Sequence, residues 1–210
     1  MKVQLLGTAA TDGWPNPFCI CASCEDLRQN GVIRAQSSAL IDECLRLECG
    51  PDLPRGAERQ SGIPLLIRQG AKVNVPLNVI APPLTPRSLQ QWVLSDNRIE
   101  WIEAVPFRPI ALGDYVVVPL LVNHETSGEL GILPLVTDGV TFVLWAPDTG
   151  PFSDETIRAL STHPDHLNLN FFGEAISQLK SCGAITKETH IAPMGKMDAK
   201  LPFDSDVIRL

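Results

Sequence analysis

No basic stripe runs along this sequence. Its 17 Lys and Arg are outnumbered by 24 Asp and Glu, for a net charge of −7 and a pI near 5.0. Phosphate backbones are gripped by basic faces, so no nucleic acid is expected as a partner. Long apolar runs are missing too. Nothing approaches the roughly 20 residues of a membrane span, and Met1-Lys2-Val3-Gln4-Leu5-Leu6 passes straight into a strand-like segment without the apolar stretch of a signal peptide. The expectation is a cytoplasmic protein with no membrane partner. Disulfides are rare in that compartment, so the six cysteines read as metal ligands or core thiols. Internal repeats and low-complexity segments are absent. The 18 prolines are dispersed, which implies many short elements and no single linker. With 210 residues, 44% apolar and 20% charged, the composition suits one domain, 1–210, with a real core.

What the sequence does have is concentrated between Leu5 and Asp42. Cys19, Cys21 and Cys24 stand in a C-x-C-x-x-C spacing on a loop between an apolar strand and a helix-like run. Thiolates are soft ligands, and three that converge on one point suit Zn²⁺ better than Mg²⁺ or Ca²⁺. The alternative is a set of buried or redox-active thiols.

The remaining pattern is read in order. Val3 to Leu6 is a buried strand stopped by Gly7, and 8–17 is a loop rich in turn residues. A short helix is expected over 24–30, ended by Gly31. Ser38 to Asp42 and Leu45 to Cys49 read as a hairpin about Asp42-Glu43-Cys44. The stretch 53–75 is broken by Pro and Gly. Leu77 to Ala81 is strand-like, and Thr85 caps a helix over 85–94. Strands are expected over 101–105, 115–122, 131–136 and 140–145, with Asp138-Gly139 turning the last pair. Ser153 caps a helix to Leu160, a second helix covers 172–182, and the tail from Met194 is polar and irregular. Continuously apolar strands with helices arriving late favour sheets covered by helices over a pure β-sandwich.

These residues carry a family resemblance. Leu6-Gly7-Thr8-Ala9-Ala10, Gly13-Trp14-Pro15, the Cys19/Cys21/Cys24 cluster and Ser37-Ser38-Ala39-Leu40-Ile41-Asp42 resemble the opening of metallo-β-lactamase-fold hydrolases. The branch is the one holding the carbon–phosphorus lyase accessory phosphodiesterase and the pyrroloquinoline-quinone biosynthesis B protein. Gly50-Pro51-Asp52, Val122-Asn123-His124, Ala146-Pro147-Asp148-Thr149-Gly150, Gly183-Ala184-Ile185 and Thr189-His190-Ile191 resemble later landmarks of that family, in order. The resemblance implies an α/β fold, an αβ/βα sandwich of two mixed β-sheets with helices on the outer faces. It implies metals on loops at one end, and a metal-dependent, phosphodiesterase-like hydrolase acting on a small-molecule ester or phosphodiester. A homodimer is compatible with it.

One departure outweighs any match. The family carries an H-x-H-x-D-H signature soon after the Gly-Pro-Asp turn, and no histidine lies between Asp52 and Leu77. What remains of the ligand set is His124, Asp148 and His190, with His124 and Asp148 in the catalytic role. Two imidazoles and a carboxylate can hold one Zn or Mn ion with an open position, but not two ions. A catalytically inactive, zinc-stabilised scaffold or ligand-binding member is therefore the alternative.

Several residues stay open. His163-Pro164-Asp165-His166 resembles a shortened ligand motif but follows the Asp148 strand, and a solvated loop is its plainer reading. An alternative alignment sets Met194 where His190 is wanted, and thioether sulfur is a poor zinc ligand. The resemblance implies a structural Zn at the cysteines. Its usual fourth ligand falls at Pro193, leaving another His, Cys182 or water for that role. Cys44 and Cys49 are expected to pack as small apolar groups. Asp12 and Trp14 lie on the loop before the cysteines, where Trp14 would either wall a pocket or cover a sheet edge.

Overall fold

The computed structural model describes residues 1–9, 13–48, 76–83, 99–123, 131–147, 152–161 and 207–209. The chain divides into two compact units, Met1–Gln69 with Ile191–Leu210, and Gly70–His190. Helices expected over 85–94 and 172–182 lie outside the described residues.

In the first unit, β1 (Lys2–Gly7) alternates half-buried and buried side chains, the period of a strand with one face on a core. It pairs antiparallel with β2 (Ser38–Ile41), which turns into β3 (Leu45–Leu47). The turn takes the expected residues, with Asp42 and Glu43 both at positive φ (43° and 63°) and the Cys44 N–H on the Ile41 carbonyl at 3.0 Å. Lys2 closes over it: its backbone N–H donates to Asp42 Oδ1 at 2.7 Å, and its Nζ lies 2.8 Å from Glu43 Oε1. The tail departs from expectation. Val207–Arg209 forms a further strand on the free edge of β1, paired Lys2 to Arg209 and Gln4 to Val207. It is β10 in chain order, and the sheet runs β10-β1-β2-β3. α1 (Ala22–Gln29) begins two residues before the expected helix.

Gly7 ends β1 for a steric reason. A Cβ there would sit 1.9 Å from the Gln36 carbonyl oxygen and 2.8 Å from the Ala35 carbonyl carbon. Backbone cannot yield as a side chain can. Gly7→Ala is expected to cost about 3 kcal/mol or more, the upper end of overpacking, read as a lowered denaturant midpoint at unchanged m-value.

In the second unit, β4 (Leu77–Ala81) and β5 (Ile99–Glu103) pair in parallel from Leu77–Ile99 to Ala81–Glu103. β5 starts two residues before its expected place because Ile99 pairs with Leu77, the first residue of β4, and it ends at Glu103, opposite Ala81, where Pro82-Pro83 stops β4. A four-stranded antiparallel meander follows: β6 (Ile110–Leu112), β7 (Tyr115–Leu121), β8 (Ile132–Thr137) and β9 (Phe142–Leu144). Leu120, Leu133, Leu135, Leu144 and Ala146 form one buried face with Phe152 and Leu160, the latter from α2 (Asp154–Ser161). The cross-strand row Val117–Val136–Val143 on the opposite face is buried too, so these strands read as continuous apolar runs.

Ser153 caps α2 as its residue type predicts, accepting the Thr156 N–H at 3.2 Å. Thr156, fully buried, donates its hydroxyl to the Leu121 carbonyl at 3.1 Å and ties the helix to the end of β7. Phe107, at φ 62°, donates its N–H to the Pro119 carbonyl at 2.7 Å.

β9 begins two residues late because the Asp138 side chain takes two amides out of the ladder. Its Oδ1 accepts the N–H groups of Val140 at 3.0 Å and Thr141 at 2.7 Å. Partial burial opposes ionisation of Asp138, but those two amides outweigh it and hold the carboxyl below its usual value. The folded pKa is depressed, so the stabilisation is present above the unfolded value of about 3.9 and fades as pH falls through the folded one. Asp138→Ala is expected to cost about 1 kcal/mol at neutral pH after allowance for solvent. That difference should shrink as melts are taken to acid below the ordinary carboxylate range.

Candidate metal centre

Exposure alternates along Phe18–Cys21. Phe18 and Ile20 are 95% and 88% exposed, whereas Cys19 and Cys21 are half-buried. Cys21 keeps extended backbone, φ −70° and ψ 155°, and is the N-cap of α1. Cys24 lies three residues on in the first helical turn, where such pairs share a face, and it is buried. An extended spacing of two followed by a helical spacing of three therefore turns all three thiols one way. Their sulfurs lie within 4.8 Å of one another. Among the described residues this is the one group of three or more His, Cys, Asp or Glu so arranged.

The loop is held from both ends. The Asn16 side chain accepts the Phe18 N–H at 3.0 Å, and its carbonyl accepts the Cys19 N–H at 3.1 Å. Arg28, near the end of α1, reaches back to donate to the carbonyls of Asn16, at 2.7 Å, and Cys19, while Glu25 Oε1 sits 2.6 Å from its Nη1. Behind the loop, Thr8 and Ala9 both donate N–H to the Ala35 carbonyl at 2.9 and 2.8 Å, and Arg34 donates N–H to Trp14 at 2.8 Å. The buried Arg34 guanidinium donates to Thr8 Oγ1 at 3.0 Å and lies 4.9 Å from the Trp14 ring centroid. Trp14 thus covers an arginine. Asp12 lies outside the described residues.

The electrostatics separate the sulfurs. Cys21 is lowered to about 7, first by the Cys24 amide and then by the Cys19 and Cys24 thiols, although no cap hydrogen bond of regular geometry is closed. Burial pushes Cys24 up, against the pull of the Asn16 amide. Tetrahedral zinc with bonds of about 2.3 Å sets sulfurs about 3.8 Å apart, so the three thiols need to close in by only about 1 Å. Soft donors, convergence and nearby amides that stabilise thiolate fit zinc. No fourth donor joins them among the described residues.

The clamp by Arg28 was not visible in the sequence, since its acceptors are main-chain carbonyls of a distant loop. Arg28→Ala is expected to weaken zinc affinity about 10–100-fold with the helix retained, read by competition with a chromophoric chelator. Cys44 corrects an expectation: it is exposed in the β2–β3 turn, its Sγ 3.7 Å from the Ile41 carbonyl, and does not pack in a core. Cys49, Cys182, His163, Asp165, His166 and Met194 lie outside the described residues.

His124, Asp148 and His190 lie outside them as well. The strands leading into the first two are described. β7 and β9 are each antiparallel to β8 and lie on either side of it, so they run the same way and end on the same edge of the sheet. The Val122 N–H donates to the Gly131 carbonyl at 3.2 Å and the Trp145 N–H to the Pro134 carbonyl at 3.1 Å, extending both strands toward that edge.

No protein-family model matches the chain, and no curated protein matches it. Solved structures do, and they define its class: the chain has the metallo-β-lactamase fold expected from its sequence. It is similar to a diphosphatase from the PhnP family at 17% identity and a TM-score of 0.70, over 99% of this chain and 97% of that one. It is likewise similar to the metallo-β-lactamase-fold protein YhfI from Bacillus subtilis, at 16% identity and a TM-score of 0.67, over 99% and 98%. A third is Zn²⁺-bound PqqB from Methylobacterium extorquens, at 16% identity and a TM-score of 0.61, over 90% and 82%. No helix among the described residues is long and apolar enough to cross a membrane.

Proposed function

We propose that this chain is a metal-dependent hydrolase of the metallo-β-lactamase superfamily, phosphodiesterase-like, working with a reduced metal site. The observation that carries the reading is the end-to-end likeness of fold to the PhnP-family diphosphatase. Cys19, Cys21 and Cys24 hold a structural zinc that fixes the loop before α1. His124, Asp148 and His190 are the residues for a single catalytic ion. The common edge reached by β7 and β9 supports the pairing of the first two. A zinc or manganese ion bound there would supply a water acidified toward neutral pH. His124, Asp148 and His190 would hold that ion, and the Asp148 carboxylate would also help to position the nucleophile. The substrate is a small ester or phosphodiester, since a chain of net charge −7 offers no basic face to a polymer of phosphates. The protein works in the cytoplasm, where thiols stay reduced.

A second reading has one observation in its favour. No histidine lies between Asp52 and Leu77, so the chain has few donors for a second ion. On this reading the protein is an inactive, zinc-stabilised scaffold or ligand-binding member. The test is metal analysis of the full-length protein together with hydrolysis of bis(p-nitrophenyl) phosphate after loading with zinc or manganese. Turnover that tracks metal beyond the cysteine-bound equivalent supports the hydrolase. Zinc at the cysteines with no turnover for either metal overturns it in favour of the scaffold.

A further inference from the structure

The cysteine cluster is built for a second chemistry. Two of its sulfurs belong to one short stretch, C-x-x-C, that straddles the start of a helix. Cys21 is the N-cap and half-exposed, whereas Cys24 is in the first turn and buried. One sulfur is open to a reagent from solvent, and the other lies behind it on the same face. All three thiols are free, with no bridge among them, and their sulfurs are within 4.8 Å. Rotamer changes alone bring two such sulfurs to bonding distance, provided the backbone spacing suits a disulfide. Cys21 at the N-cap and Cys24 in the first turn are three residues apart and already hold their sulfurs within 4.8 Å. Cys19 and Cys21 do not share a helical turn, and positions two apart along an extended loop set their backbones near the far limit for a bridge.

We propose that Cys21 and Cys24 form a dithiol–disulfide couple, oxidised by hydroperoxides, whose closure releases the ion held by the cluster. In the first step the Cys21 thiolate attacks one peroxide oxygen. An S–O bond forms, the O–O bond breaks, and hydroxide or alkoxide leaves. In the second, the Cys24 thiolate attacks the Cys21 sulfur. The S–S bond forms and the sulfenic oxygen leaves as hydroxide, taking a proton to become water. Two thiols lose two electrons, and the peroxide gains them. With hydrogen peroxide the products are one disulfide and two waters. Cys19 remains as a single thiol, too few donors to keep a structural ion. The loop around Phe18 and Ile20 then keeps its hydrogen bonds through Asn16 and Arg28 but loses the tie the ion gave it. Release of the ion rests on the structural-zinc reading above, but formation of the disulfide does not.

The experiment treats full-length protein with hydrogen peroxide in two arms, zinc-loaded and stripped of metal by a chelator. Zinc is followed with a chromophoric indicator, thiols are counted with a disulfide reagent, and the tryptic peptide Val3–Arg28 is weighed and fragmented without reduction. The expected result is a peptide lighter by two hydrogens, linked Cys21 to Cys24, in both arms. Zinc release should parallel thiol loss in the loaded arm, and dithiothreitol with added zinc should reverse both. In Cys24→Ser, the Cys21 sulfenic acid has lost its partner three residues on and should be trapped by dimedone. Linkage through Cys19 or Cys44 would overturn the proposal, as would irreversible oxidation of Cys21 with Cys24 left reduced. Protein that never binds zinc but still closes the bridge sinks the structural-zinc reading and leaves the couple standing.

Discussion

Replacing Cys24 by alanine is expected to strip about one equivalent of zinc from the protein, the full content of a closed structural site. Cys24 is the buried member, set in the first turn of α1 behind Cys19 and Cys21. Without it, two half-exposed thiols at the helix start would hold the ion in competition with water. Metal binding and folding are linked, so loss of the ion also removes stability from the loop and α1. A cost of about 3 kcal/mol or more is expected, which for a chain of this size lowers the melting temperature by about 6–12 °C. Metal analysis and a thermal melt on the same sample read both numbers. Cys44→Ala is the control, since Cys44 is exposed in the β2–β3 turn and should leave metal content unchanged. If Cys24→Ala keeps its zinc, the cluster is not the site.

Much of this geometry was written locally. The convergence of the sulfurs follows from a spacing of two and then three, and β7, β8 and β9 follow from apolar runs bounded by turn residues. The cap at Ser153 acts through its own side chain on an amide three residues on, which makes it readable from sequence. What failed to show was set by partners far along the chain. β10 is three residues long and acquires its strand character only from the open edge of β1, so Val207-Ile208-Arg209 reads as tail. β6 is also three residues, held by register with β7 and not by a pattern of its own. α1 starts two residues early because Cys21, a residue type seldom chosen as a cap, ends the extended loop. The same blindness applies to Arg28, whose partners are carbonyls. His124 and Asp148 are different again. No local spacing pairs residues so far apart, and only the resemblance singled them out. The antiparallel register of β7, β8 and β9 adds the physical reason that strands so distant in sequence reach a common edge.

That common edge makes Asp148→Ala the sharpest test of catalysis. In the proposed site this carboxylate would both hold the ion and help to position the nucleophile, so its loss removes two contributions at once. Metal activation and positioning of a nucleophile are each worth several kcal/mol, and hydrolysis of bis(p-nitrophenyl) phosphate should fall at least about 100-fold. The zinc at the cysteines should stay, because Cys19, Cys21 and Cys24 are held by α1 and the Asn16 loop. Metal content in Asp148→Ala should therefore fall by the catalytic ion alone, while in Cys24→Ala it should fall by the structural one. His124→Ala provides the companion measurement: equal loss of turnover and of the same ion would mark the two side chains as ligands of one metal. Full turnover in Asp148→Ala would remove the hydrolytic site from this strand end altogether, and with it the reading of β7 and β9 as its two supports.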